Sequence, residues 1–365
     1  MNKILLIGDS TINDGPYMQS YIELFERNGI AYDLLFWNRN LDSMDKLPDN
    51  HISYNCFTDN KYAYWKKIFK IAGFARFAGA RMKKNDYAYV VVFTITQAVF
   101  MYYTLRRHYK GRYIFDIRDY SPMCKVGILR KVINRLIAYS SFTVVSSAGF
   151  LRWLPIGEQY HYLVAHNTTK GMLEKYIDYK ATAPSGAIGE ILILTIGALR
   201  DFDANSVFMN NLSGEQKVKM IFAGHGPESD SLRKYAEHKQ ISNAVFIGRY
   251  RKSEEEIIVN SHHMMNAYLG RDINSDSLMT NRFYLSVLMR KPLIVNEDSF
   301  QAELVKRYGL GVVLRPQDNF GNKIISYWNE MDWEQYNNNC KRYLTDVLNE
   351  FDSFEQKLIT LVTTK

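Results

Sequence analysis

Cysteine is scarce in this chain. Cys56, Cys124 and Cys340 are the only three in 365 residues, and they lie far apart with no CxxC pair, which argues against both a disulfide framework and a zinc site. Long apolar runs are missing too. A membrane-spanning helix needs about 20 mostly apolar residues, and the nearest approach, Tyr87 to Tyr103, is divided by Thr94, Thr96 and Gln97 into strand, turn and helix. The opening MNKILLIGDS has too short an apolar run for a secretory signal and reads as a first buried strand. The loop behind it, GDSTINDG, is not GxGxxG, which disfavours classical dinucleotide oxidoreduction. Internal repeats and low-complexity segments are absent. These absences suit a cytosolic globular protein.

The length allows two ordinary domains, and 47% hydrophobic with 23% charged residues is a normal globular balance. A formal charge of +8 points to an anionic partner: nucleotide phosphates, nucleic acid or an acidic membrane surface. Short apolar runs alternate with helical patterns from the start. Strands are expected at Ile4–Ile7, Tyr32–Trp37, Tyr89–Phe93, Tyr113–Ile117 and Phe142–Ser146. A small-residue stretch, ATAPSGAIGE at 181–190, reads as a linker. A second series follows, with strands at Ile191–Ile196, Lys217–Phe222, Ala244–Ile247, Met264–Ala267, Leu293–Val295 and Val312–Leu314, and an amphipathic helix from Trp333 to Val362 closes the chain. Such alternation is the signature of parallel sheets covered by helices. The expected division is 1–180 as a Rossmann-like domain, 181–190 as linker, 191–345 as a second Rossmann-like domain, and 346–365 as a helix returning to the first.

Three segments carry phosphate chemistry. ILILTIGALR is a buried strand ending at Gly197, where glycine permits close approach of a phosphate and Arg200 can neutralise one; an ordinary strand-to-helix turn with a solvated arginine fits the same residues. KVKMIFAGHGPESDSLRKYAEHKQISNAVFIGRY runs through a strand, the turn Gly224-His225-Gly226-Pro227, a helix and a strand ending at Gly248. In the third, a polar loop from Asn274 to Asn281 leads into the apolar helical run Phe283 to Met289. A helix opening there offers free N–H groups to an anion.

With its GHGP turn, with NRFYLSVLMRKPLIV and with YGLGVVL, the chain resembles the GT4-like bacterial glycosyltransferases of surface polysaccharide assembly, which have the GT-B fold. The resemblance covers most of the chain and is specific in the carboxy-terminal half. It implies two Rossmann-like domains facing each other across a cleft. It also implies a nucleotide-sugar donor, UDP- or GDP-linked, and a metal-free, retaining transfer to a lipid-linked glycan. Gly197, Arg200 and Gly224 would then face the donor phosphates, Arg249 and Tyr250 the base, and Ser277, Thr280, Asn281 and Arg282 the sugar, ribose and diphosphate. The group's two glutamates are missing: counting back from Pro292, their positions hold Leu285 and Ser277. Asp272, Asp276 and Asn281 stand nearby as substitutes or as loop caps.

In the amino-terminal half, the resemblance places the loop Asp116-Ile117-Arg118-Asp119 toward the cleft, where a carboxylate can orient or deprotonate an acceptor hydroxyl; a surface Asp/Arg pair is the other reading. Asp119 ranks ahead of Asp14, in the first post-strand loop with Asp9 and Asn13, as that base. His262-His263 reads as packing rather than a metal site, since no partner ligands stand at zinc-like spacing.

KYAYWKKIFKIAGFARFAGARMKK, residues 61–84, holds no acidic residue. Trp65, Lys66, Lys67, Lys70, Arg76, Arg81, Lys83 and Lys84 give it the composition of a helix lying in an anionic membrane interface, and a solvated basic helix face is the other reading. No nucleic-acid motif accompanies it. The expected protein is therefore a cytoplasmic glycosyltransferase, peripheral on the inner face of the plasma membrane, with a partner glycosyltransferase among its expected partners. A non-catalytic glycosyltransferase-like subunit and a nucleotide-sugar epimerase are the competing readings.

Overall fold

The structure is a computed structural model that describes residues 3–12, 15, 17–42, 47–59, 64–182 and 189–364, without the side chains of 64 and 65. Asp14, the Trp65 side chain and residues 183–188 of the expected linker lie outside the described residues. Two compact units emerge, one comprising Met1–His166 with Glu350–Lys365, the other Asn167–Asn349.

The first unit runs β1 (Ile4–Gly8), α1 (Tyr17–Arg27), β2 (Tyr32–Asn38), β3 (His51–Asn55), α2 (Tyr64–Lys84), β4 (Tyr89–Phe93), α3 (Ile95–Phe100), α4 (Tyr102–His108), β5 (Tyr113–Ile117), α5 (Gly127–Tyr139), β6 (Phe142–Val145) and β7 (Tyr162–Val164). Its strands are parallel in the order β3-β2-β1-β4-β5-β6-β7. The central strands are continuous apolar runs because both faces are covered: β1 and β5 are buried along their whole length. The edge strand β3, HISYN, is only half-buried and carries no such run, so it is not visible in the sequence pattern. On one face, Met18, Tyr21 and Phe25 of α1 pack with Phe354, Leu358 and Val362 near the carboxy terminus.

The second unit runs α6 (Lys170–Tyr176), β8 (Ile191–Ile196), α7 (Phe202–Leu212), β9 (Val218–Ala223), α8 (Ser229–His238), β10 (Ala244–Gly248), α9 (Glu255–Asn260), β11 (Met264–Asn266), α10 (Asn281–Leu288), β12 (Leu293–Asn296), α11 (Phe300–Tyr308), β13 (Gly311–Leu314), α12 (Phe320–Asn329) and α13 (Trp333–Thr363), whose last part belongs to the first unit. The sheet order is β10-β9-β8-β11-β12-β13, again parallel. The unit begins at Asn167, ahead of the 181–190 stretch. A physical reason is that Arg290, fully buried, donates to the Tyr176 and Ile177 carbonyls (3.1 and 3.0 Å) and to the Val287 carbonyl (2.7 Å), so one guanidinium ties the ends of α6 and α10 together. Among the described residues, no helix is long and apolar enough to cross a membrane.

The expected strands of both series are present, with ends differing by a residue or two. His262 and His263 pack: the Leu192 N–H donates to His263 Nδ1 (2.9 Å), and the His263 ring lies 5.3 Å from that of Trp328. Burial, with Lys291 nearby, lowers both imidazoles below 6.5. The folded state therefore favours neutral rings, a contribution present above 6.5 and lost as pH falls through the lowered values. Thermal midpoints should accordingly decline between about pH 7.5 and 5. In His263→Asn, which can still accept from Leu192 but does not titrate, the decline should be shallower; an unchanged slope would refute the assignment.

Candidate active site

In open α/β sheets, ligands bind beyond the carboxyl ends of the strands where the strand order reverses. In the second sheet that point lies between β8 and β11, so the loops after these two strands, 197–200 and 267–280, flank it.

The loop after β8 is fixed from two sides. Gly224, φ +135°, approaches so closely that a Cβ there would stand 1.9 Å from the Gly197 carbonyl oxygen, and Gly197 itself has φ +98°. The Gly197 N–H donates to Ala223 O (2.9 Å) and the Gly224 N–H to Gly248 O (2.7 Å), which aligns the ends of β8, β9 and β10. From the other side, Arg282 Nε donates to Ile196 O (2.5 Å) and Nη2 to Ala198 O (3.1 Å). Asp201 completes the frame, accepting from Ala204 N (3.0 Å) as the cap of α7 and from Gly270 N (2.5 Å) in the loop after β11.

Gly197, Ala198, Gly224, His225, Arg249 and Tyr250 line a cavity of about 300 Å³ at this edge. Burial lowers the Arg282 pKa to about 10, against the opposing pull of Tyr250 and Asp201. Burial and Glu255, whose carboxylate accepts from the Tyr250 hydroxyl (3.2 Å), raise Tyr250 to about 12. Arg200, Arg249 and Arg282 form no ion pair with a described carboxylate. Arg249 lines the cavity, Arg282 is held beside it on the Ile196 and Ala198 carbonyls, and Arg200 lies on the same loop as Gly197, an excess of positive charge that suits an anion.

Helix α10 starts as expected. Thr280 is its N-cap, accepting from Phe283 N (3.2 Å) while donating to the buried Gln301 (2.7 Å), so its hydroxyl is engaged on both sides. Asn281 is exposed at the first turn. Ser277 is buried and donates to carbonyls of its own turn, Ile273 and Asn274. Leu285 is buried within α10. Asp272 caps its own turn, accepting from Asn274 N (2.7 Å), Ser275 N (3.1 Å) and Ser275 Oγ (2.7 Å). The structure thus brings together Gly197, Gly224, Arg249, Tyr250 and Arg282, with Arg200 on the same loop. Sequence reasoning passed over His225, visible only as the second residue of the GHGP turn.

The first unit has its own reversal between β1 and β4. The reading of Asp116 and Arg118 as a surface pair needs correcting. Asp116 lies inside β5, is fully buried, and accepts from Arg118 (2.5 Å) and from the Tyr21 hydroxyl (2.7 Å). Arg118 reaches Ala165 O (3.1 Å) and stands 5.1 Å from the Tyr17 ring centre. Burial pushes Asp116 up, opposed by Arg118 and Tyr21. Asp119, one residue beyond the pair, is exposed. Directly after β4, Thr94 has φ 71°, a strained value for a β-branched residue, and its buried hydroxyl has no partner among the described residues. Asp9 accepts from Tyr17 (2.9 Å) and Arg39 (3.2 Å) after β1. Among the described residues, no group of three or more His, Cys, Asp or Glu side chains is placed to hold a metal.

Two parallel α/β units of this construction define the GT-B fold. Neither a protein-family model nor a curated protein sequence matches the chain. Among solved structures it is similar to sucrose-phosphate synthase from Thermosynechococcus elongatus, with a TM-score of 0.71 at 12% identity, covering 99% of this chain and 100% of that one. It is similar to the lipopolysaccharide outer core galactosyltransferase WaaB in its apo form (0.63, 14%, 96% and 99%). It is also similar to Anabaena HepE in complex with UDP and glucose (0.66, 14%, 99% and 100%).

Gly224→Ala should lower stability by roughly 2–4 kcal/mol in chemical denaturation, because the added methyl meets backbone rather than a flexible side chain. A change within about 0.5 kcal/mol would show that the strand ends are not held as described.

Proposed function

We propose that this protein is a glycosyltransferase, moving a sugar from a UDP- or GDP-linked donor to a hydroxyl of a lipid-linked glycan in bacterial surface polysaccharide synthesis, and working at the inner face of the plasma membrane. The observation that carries the reading is the set of strand-end loops in the second unit, where Gly197, Gly224, Arg249 and Tyr250 line one cavity and Arg282 is held on the Ile196 and Ala198 carbonyls. The similarity to HepE, solved with UDP and glucose, and to WaaB, a lipopolysaccharide outer core galactosyltransferase, supports the donor and acceptor classes.

Glycosyl transfer breaks the bond between the anomeric carbon and the diphosphate oxygen, and the electron pair leaves with the diphosphate. Arg282, anchored by the Ile196 and Ala198 carbonyls, would meet that growing charge with little reorganisation, aided by Arg200 and by the N–H groups opening α10. No metal is required for this. The acceptor oxygen bonds to the anomeric carbon, and its proton passes to a diphosphate oxygen in the retaining course we favour. Asp119 is the carboxylate we assign to orienting the acceptor. Tyr250 and Arg249 are assigned to the base, and Thr280 and Asn281 to the α10 end of the site. Ser277, whose hydroxyl donates to its own backbone, is assigned to the sugar and ribose region, without a carboxylate's capacity.

That shortfall favours a second reading: a non-catalytic subunit that activates a partner glycosyltransferase. Ser277 and Leu285 are both buried where the resembling enzymes place glutamates. A thermal-shift screen of UDP, GDP, CMP and dTDP separates the two, since a ligand of the native state raises apparent stability. The enzyme reading expects a shift with one nucleoside diphosphate that weakens in Arg200→Ala, and turnover of the matching nucleotide sugar. No shift with any of the four would remove the donor site.

A further inference from the structure

The sequence drew attention to α2 alone, but the topology gathers more. Parallel crossovers are right-handed. The step from β1 to β2 through α1 moves one way along the sheet, whereas the steps from β3 to β4, β4 to β5 and β5 to β6 move the other way. Helices α2, α3, α4 and α5 therefore share one face of the first sheet, and they pack on each other: α3 touches α2, α4 and α5, and α4 touches α5.

None of these four helices contains an aspartate or glutamate. To the α2 cations named above, α4 adds Arg106 and Arg107, and α5 adds Arg130, Lys131 and Arg135. The opposite face is acidic. There, Glu23 and Glu26 of α1 and Glu350, Asp352 and Glu355 of α13 outnumber Arg27 and Lys357. The basic layer also exposes large apolar side chains: Phe69 of α2 and Tyr103 of α4 are each 71% exposed, and Ile128 of α5 is 73% exposed, beside Val126.

We propose that the whole α2–α4–α5 layer, and not α2 alone, is the face on which this protein sits against an anionic lipid bilayer. The inference deepens the membrane part of the proposed function and rests on it for its biological purpose. A helical layer with one sign of charge attracts acidic headgroups, and exposed aromatic and aliphatic side chains enter the headgroup boundary. Nucleic acid would satisfy the charge, but it leaves Phe69, Tyr103 and Ile128 unexplained.

The test is co-sedimentation of the full chain with phosphatidylcholine vesicles, with and without phosphatidylglycerol. Binding should require the anionic lipid and fall with salt. The double variant Arg130→Glu/Lys131→Glu and, separately, Ile128→Ser lie outside α2 and outside the nucleotide site. The charge reversal should weaken vesicle binding by about tenfold or more, and Ile128→Ser should weaken it further at high salt. Lys357→Glu on the acidic face should change nothing. The UDP thermal shift, measured on the same variants, reports the fold and the donor site independently. Vesicle binding without a shift by UDP, GDP, CMP or dTDP would sink the donor reading and leave this surface standing. Unchanged binding in the α5 variants, equal binding to neutral vesicles, or binding to duplex DNA or RNA without vesicles would overturn it.

Discussion

The hold of Arg282 on the carbonyls of Ile196 and Ala198 is the interaction on which the second unit's site depends. Hydrogen bonds from a charged donor contribute about 1.5–3 kcal/mol each, and these two join the start of α10 to the end of β8, residues 86 and 84 positions apart in sequence. They set the Gly197 loop against Gly224, whose missing side chain lets β9 end within touching distance of it. Without the guanidinium, the Ile196 and Ala198 carbonyls would lose these donors. With it, those carbonyls are satisfied and a positive charge stands beside them. The burial that lowers the Arg282 pKa is the cost of that arrangement, and an arriving anion would offset it.

The same geometry explains why the missing glutamates do not dismantle the site. Carboxylates at 277 and 285 would accept hydroxyl hydrogen bonds, but the frame around Gly197 is built from backbone, glycine and arginine. Ser277 and Leu285 serve packing and turn closure instead. In the proposed reading, recognition of the anion and recognition of the sugar are thus separable, and only the second lacks the carboxylates of the enzymes the chain resembles.

Central strands were legible because they are apolar runs bounded by turn residues, and the order of strands and helices followed from them. Edge strand β3 was not, because HISYN is half-buried on both sides and carries no run. Asp116 and Arg118 look like a polar loop in sequence. Their burial rests on Tyr21, 95 residues away, and on the carbonyl of Ala165, which no local pattern announces. Arg282 was recognisable as a charge beside a helix start, but its anchoring to β8 was not, for the same reason of distance along the chain. The basic character of α2 was plain, whereas its union with α4 and α5 needed the handedness of the sheet.

Calorimetric comparison of UDP with uridine tests the central claim most directly, because the two ligands differ only in the diphosphate. UDP should bind at least about tenfold more tightly, and the gap should close in Arg282→Ala. Equal affinity for the two ligands, or a gap that survives the loss of Arg282, would contradict the account.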